Sequence, residues 1–213
     1  DDLTKEYENA IVLAELSELS LDTSDLFDPI IEDIIDVDIT GLSGYIAGSN
    51  PRSVLLAVYR YLRENGCRWL YPGVDGEYIP VAEVKPVTYH RMATCRYRGQ
   101  CNEGGETQPL MKDIIDFTPK VGLNTFMIEF DIPKAYYATA YAHRFGVPDA
   151  EAPLSNETIL QWKRQCETEM AKRGLQFHDV GHGFNCFPFG IDPGKKPADG
   201  DFDAALTDEQ RQY

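Results

Sequence analysis

The sequence predicts an α/β protein in two parts: a small α+β domain over residues 1–84, then strands and helices alternating one by one over residues 85–213. Three observations lead there. Residues 44–80 read as strand, turn, helix and strand with a signal at nearly every boundary. Ile34–Ile39 alternates with the period of two of a half-buried strand. Beyond residue 90, strand-helix-strand-helix-strand with tight turns implies parallel pairing through right-handed crossovers. At 213 residues the chain can bury a core and hold one or two domains of about 100–200 residues each.

Taken in order, Ile11–Leu16 is a strand. Asp22–Asp33, with Pro29 and five acidic residues, is a loop, and Ile34–Ile39 is the second strand. Tyr45–Ala47 is a third, short one. Gly48-Ser49-Asn50 then turns the chain, Asn50 caps, and Pro51 occupies the first helical position, where its missing N–H costs nothing. Val54, Leu55, Val58, Tyr61 and Leu62 form the expected apolar face of the helix, with Arg60, Arg63 and Glu64 off it. Gly66 ends the helix by taking the left-handed conformation. Arg68–Tyr71 reads as a return strand, the Pro72-Gly73 and Asp75-Gly76 pairs as turns, and Glu77–Val81 as a last short strand. Residues 82–90 read as a connector.

After it, Met92–Tyr97 is a strand ending at Arg98-Gly99, and a glycine-rich loop leads to a helix over Pro109–Lys120 that buries Leu110, Ile114 and Phe117. Pro119 and Gly122 close that helix. Thr125–Phe130 is a nearly continuous apolar strand of the parallel-sheet kind. Ser155 or Asn156 caps a second helix with Leu160 and Met170 inward and Gly174 at its end, and Gln176–Val180 is the next strand.

Net charge is −15, and residues 1–50 hold 13 acidic residues against the single Lys5, so most of the charge is local. That balance excludes nucleic acid, whose phosphates would be repelled, and gives no sign of an anionic-membrane binder. No apolar run approaches the ~18 residues of a membrane span. The five cysteines, Cys67, Cys95, Cys101, Cys166 and Cys186, are odd in number and lack metal-like spacing; read as free thiols they favour a cytoplasmic, reducing compartment slightly over a secreted one. No metal or cofactor is expected, and the pattern says nothing of oligomeric state.

The strand and turn at Gly44–Pro51, the helix holding Leu56-Ala57-Val58-Tyr59, the Arg68-Trp69-Leu70-Tyr71-Pro72-Gly73 segment, and later Tyr97-Arg98-Gly99 and Gly181-His182-Gly183 carry a resemblance. Over most of its length the chain resembles the small α/β domain that precedes the catalytic barrel in bacterial α-glucuronidases, in many β-hexosaminidases and in a large set of uncharacterised bacterial barrel proteins. The resemblance implies that residues 85–213 open a (β/α)₈ barrel. A full barrel takes about 250 residues. The reading is therefore an incomplete barrel in a piece of a longer glycoside hydrolase, with the rest of the barrel as its partner and a glycan as substrate.

Barrels place their chemistry at the C-terminal ends of strands. This selects Arg98 after the first strand, Glu129 and Asp131 at the end of the second, and Asp179 and His182 at the end of the third. Arg98 offers a rigid fork of donors for sugar hydroxyls or a carboxylate, a role the resemblance to β-hexosaminidases also implies. Its neighbour Arg96 competes for that role, and pairing with a carboxylate such as Glu129 is the structural alternative. Glu129 and Asp131 point to opposite faces of a regular strand, and Glu129 is taken as the catalytic one. His178 and His182 lie about 13 Å apart on an extended strand, too far to share a metal, so His182 is read as a hydrogen-bonding or proton-positioning group. Tyr137, in an aromatic cluster after the second strand, and Phe184, after the third, are candidates to stack on sugar rings, with Asp179 beside them as a substrate ligand.

Glycoside hydrolysis needs two carboxyl groups about 5–9.5 Å apart. No convincing pair is visible, and the resemblance places the decisive carboxylates from the fourth strand onward, beyond Tyr213. The alternative is a non-catalytic glycan-binding or interaction protein on the same scaffold. A phosphate cradle at Gly48–Pro51 is disfavoured, because neither GxGxxG nor GxxxxGK[ST] is present.

Overall fold

The structure, a computed structural model, describes residues 9–102, 108–128 and 155–179. Strands β1 (Ile11–Glu15), β2 (Ile34–Thr40) and β3 (Ser43–Gly48) precede helix α1 (Pro51–Glu64). A small hairpin of β4 (Arg68–Trp69) and β5 (Glu77–Tyr78) follows, then β6 (Val87–Met92), β7 (Gly99–Asn102), α2 (Gln108–Lys120), β8 (Thr125–Ile128), α3 (Asn156–Lys172) and β9 (Gln176–Asp179).

The first sheet has the order β1-β3-β2-β6, with β1 parallel to β3 and β2 antiparallel to both of its neighbours. Its two faces bury different residues, as the pleat requires. Val37, Ile39, Ile46 and Val87 meet Ala57 and Tyr61 of α1 on one face. Ile34 and Ala47 meet Leu16 on the other, where Leu19 and Leu21 and, from the acidic loop, Leu26 close over them. The loop expected from Pro29 and its carboxylates thus contributes Leu26 to a core lid.

Helix α1 starts as its sequence dictates. Asn50 is extended, and its side chain accepts from the Ser53 N–H at 2.9 Å, with Pro51 following. Gly48 has no room for a side chain, since a Cβ there would lie 2.3 Å from the Val54 nitrogen. At the other end Gly66, at φ +96°, donates to the Arg63 carbonyl while Cys67 donates to that of Leu62, which satisfies two of the helix's terminal acceptors. The same pair of bonds closes α2 at Gly122-Leu123 and α3 at Gly174-Leu175.

The buried face of α1 differs from the expected one. It is Ser53, Leu56, Ala57 and Tyr61, with Arg52 beside them, whereas Val54, Leu55, Val58 and Leu62 are only partly buried. Small residues let the helix approach the sheet, and ranking positions by hydrophobicity passes over them. In α2 the buried residues are Gln108, Met111, Ile114, Ile115, Thr118 and Pro119; Leu110 is exposed and Phe117 is intermediate. In α3 Cys166 and Met170 are buried, and Leu160 is exposed.

Three expectations from the sequence are corrected. Among the described residues, 68–71 do not return to the first sheet: β4 pairs with β5, and Leu70 donates to the Gly76 carbonyl, folding the turn back on itself. The expected connector contains β6, an edge strand antiparallel to β2, so the first sheet runs past residue 84 to Met92. Consequently Met92–Tyr97 is not a strand, and the next one begins at Gly99. The alternation of Val87–Met92 is satisfied by β2 as neighbour, whereas in residues 93–98 Ala93 donates to the Asp33 carbonyl and Arg96 and Arg98 bond through their side chains to Glu32 and Asp33.

The second sheet has the order β7-β8-β9. Thr125 donates to the Arg98 carbonyl at 3.0 Å and Gln176 to that of Asn124 at 2.9 Å. Both bonds join the start of one strand to the start of the next, as parallel pairing requires and antiparallel pairing forbids.

The chain divides into two units, one of residues 1–100, 107–126 and 164–177, the other of residues 101–106, 127–163 and 178–213. The described part of the second holds the ends of β7, β8 and β9 and the start of α3, where the Ser155 hydroxyl accepts from the Thr158 N–H as the expected cap.

Candidate functional site

Around Arg98 the first unit builds a buried polar cluster whose centre is a residue the sequence reading passed over, Asp33. Its side chain is 2% exposed. Oδ1 accepts from Arg52 Nε at 3.0 Å, from Arg52 Nη2 at 2.9 Å and from the Ser53 hydroxyl at 2.7 Å. Oδ2 accepts from Arg98 Nη2 and Asn124 Nδ2, both at 2.7 Å. Burial alone would raise the Asp33 pKa, but the bonds from Ser53 and Arg98 and the charge and bonds of Arg52 outweigh it and hold the carboxyl below its ordinary value.

Asn124 is as fully used. Its amide also donates to the Arg96 carbonyl, and its oxygen accepts from the Arg98 N–H and the Thr125 hydroxyl. Arg52 reaches on to the carbonyls of Gly174 and Ile30. Next to this cluster Glu32 accepts the Phe27 and Asp28 N–H groups and pairs with Arg96 at 2.6 Å. The Asp28 N–H, then the Arg96 bond, then the Phe27 N–H lower its pKa. Two signals for the cluster were present in the sequence. A cation in the first turn of a helix opposes the helix dipole, so Arg52 needed a carboxylate. Asn124, directly before an apolar strand, needed a partner for its amide.

Arg98 does not stand where the sequence reading put it. It precedes β7, so it lies at the N-terminal end of the parallel strands, opposite the end at which such sheets carry chemistry. Its other nitrogens donate to the carbonyls of Gly122 and Cys95. Among the described residues the carboxylate it pairs with is Asp33. Asp179 is the last residue of β9. Glu129, Tyr137, His182, Phe184 and Asp131 lie outside the described residues.

Beside the cluster opens a cavity of about 360 Å³. Leu56, Tyr59, Arg60 and Arg63 of α1, Tyr89 and Arg91 of β6, Cys95, Arg98, and residues 119–122 at and just past the end of α2 line it. Arg60 stacks 3.9 Å above the Tyr89 ring centre and pairs with Glu64, and Tyr59 meets Trp69 edge-on at 5.1 Å. Lys120 pairs with Glu77 and Asp116. A broader concavity of about 690 Å³ borders the start of α1 and the end of α3, but Ser49, Asn50 and Arg52 on its wall are committed to internal bonds. Among the described residues no group of three or more His, Cys, Asp and Glu is placed to hold a metal ion, and no helix is long and apolar enough to cross a membrane.

No family model matches the chain, and no curated protein matches its sequence. Solved structures do. The chain is similar to a family 89 glycoside hydrolase of Clostridium perfringens. A form of it in complex with its substrate GlcNAc-alpha-1,4-galactose shares 14% identity over 81% of this chain and 22% of that one, with a TM-score of 0.49. The complex with PUGNAc shares 15% identity over 80% and 22%, also at 0.49. The complex with 2-acetamido-1,2-dideoxynojirmycin shares 16% over 70% and 20%, at 0.45. The chain spans about a fifth of the length of these structures.

Proposed function

We propose that this chain is part of a carbohydrate-active enzyme acting on O-glycosyl bonds of a glycan. In this reading a small α+β domain, built on the first sheet and ending after β6, leads into the first βα units of a (β/α)₈ barrel. The observation that carries the reading is the start-to-start bonding of β7, β8 and β9, which makes the second sheet parallel and gives all three strands a common C-terminal edge. Chemistry in parallel sheets belongs to that edge, because the loops there vary without disturbing the packed interior.

Asp179 ends β9, Glu129 follows β8 in sequence, and His182 comes three residues after Asp179. Glu129 would supply one of the two carboxyl groups glycoside hydrolysis needs, with His182 placing a proton, Asp179 binding sugar hydroxyls, and Tyr137 and Phe184 stacking on the ring. Arg98 takes no part in this reading; it ties strand starts to Asp33.

A glycan panel assayed with the full-length protein for binding and for released sugar tests the proposal. Hydrolysis of at least one glycan, lowered a hundredfold or more by Glu129→Gln, is the expected result. Failure to bind or cleave any glycan overturns it, and binding without cleavage would instead establish a non-catalytic glycan binder.

A further inference from the structure

We propose that the cavity between α1, β6 and the end of α2 binds a small ligand bearing an oxyanion: a carboxylate, sulfate or phosphate ester on a body of about one ring. This inference does not rest on the proposed function. In a chain of net charge −15, the cavity wall gathers Arg60, Arg63, Arg91, Arg98 and Lys120 around a single carboxylate, Asp33. Asp33 is already saturated by its own donors.

Three of the five cations have partners inside the protein: Arg98 with Asp33, Lys120 with Glu77 and Asp116, and Arg60 with Glu64. The side chains of Arg63 and Arg91 have none among the described residues, and both residues are exposed. The Arg60 Nε, moreover, is a buried nitrogen without a hydrogen-bond partner. Buried donors in folded proteins are nearly always paired, so an orphan in a cavity wall marks a place where a ligand or solvent completes the bonding.

Both guanidinium groups line one concavity, and their planar forks match a carboxylate, sulfate or phosphate. Ile35, Leu56, Pro119 and Val121 give the same wall an apolar part that thins the water and strengthens the charge contacts. The volume, about 360 Å³, is at the small end for ligand sites and suits a ring-sized body rather than a polymer.

The 213-residue chain is titrated by calorimetry with inorganic phosphate, inorganic sulfate and cyclohexanecarboxylate, at an ionic strength held constant with chloride. Saturable binding of at least one probe is expected, weakened tenfold or more by Arg63→Gln and by Arg91→Gln, with the thermal melt of each variant unchanged. Which probe binds separates a carboxylate ligand from a sulfate or phosphate ester. Absence of saturable binding for all three probes, or binding that the double variant R63Q/R91Q retains, overturns the proposal.

Discussion

Asp33 carries four partner side chains on two oxygens, and they come from α1, the approach to β7 and the approach to β8. Removing its charge leaves Arg52 and Arg98 buried or half-buried without a counter-ion, so Asp33→Asn is expected to cost about 3–5 kcal/mol of unfolding free energy in a urea titration. Because the folded pKa is depressed, the contribution of Asp33 is complete above the ordinary carboxylate range near pH 4 and is lost as pH falls through the lower folded value. Acid titration of the wild type should show that loss, and Asp33→Asn should flatten it. Arg98→Met is expected to lower stability by about 1.5–3 kcal/mol while leaving any glycan KM unchanged, which separates its structural role from substrate contact. The Arg98–Asp33 pair spans 65 positions, so nothing local in the sequence announces it.

At the scale of elements, the start of α1 is both the most legible feature and the most sensitive. Asn50→Ala removes the cap and the amide's bonds to the Pro29 and Glu32 carbonyls, and about 2 kcal/mol should be lost by thermal or chemical denaturation. Gly48→Ala should cost at least as much, since the new methyl meets backbone rather than a side chain that can turn away. Caps, helix-ending glycines and the pattern of β2 were readable because each acts within a few residues. Strand membership was not. Val87–Met92 alternates whether or not a neighbour exists, and only the exposed edge of β2 makes it a strand of the first sheet. Gly99–Asn102 is polar and led by glycine, yet it pairs because the chain before β8 lies beside it.

For the molecule as a whole, burial divides the thiols of the described residues. Cys67 closes α1 and Cys166 sits inside α3, both buried, while Cys95 and Cys101 are exposed. A disulfide reagent under native conditions should modify Cys95 and Cys101 promptly, and Cys67 and Cys166 only as fast as the protein opens, followed by mass spectrometry of the labelled peptides. Equal rates for all four would contradict the packing described. The sequence by itself determined the α/β class, the capped helices and the parallel grammar of the second half, because these arise from hydrophobic period and from backbone groups satisfied nearby. Only the tertiary structure decided that Asp33 is the hub, that Arg98 stands at the starts of the strands, and that cations collect around one cavity. Satisfying a buried charge requires partners brought from distant segments, and that matching exists only once the chain has folded.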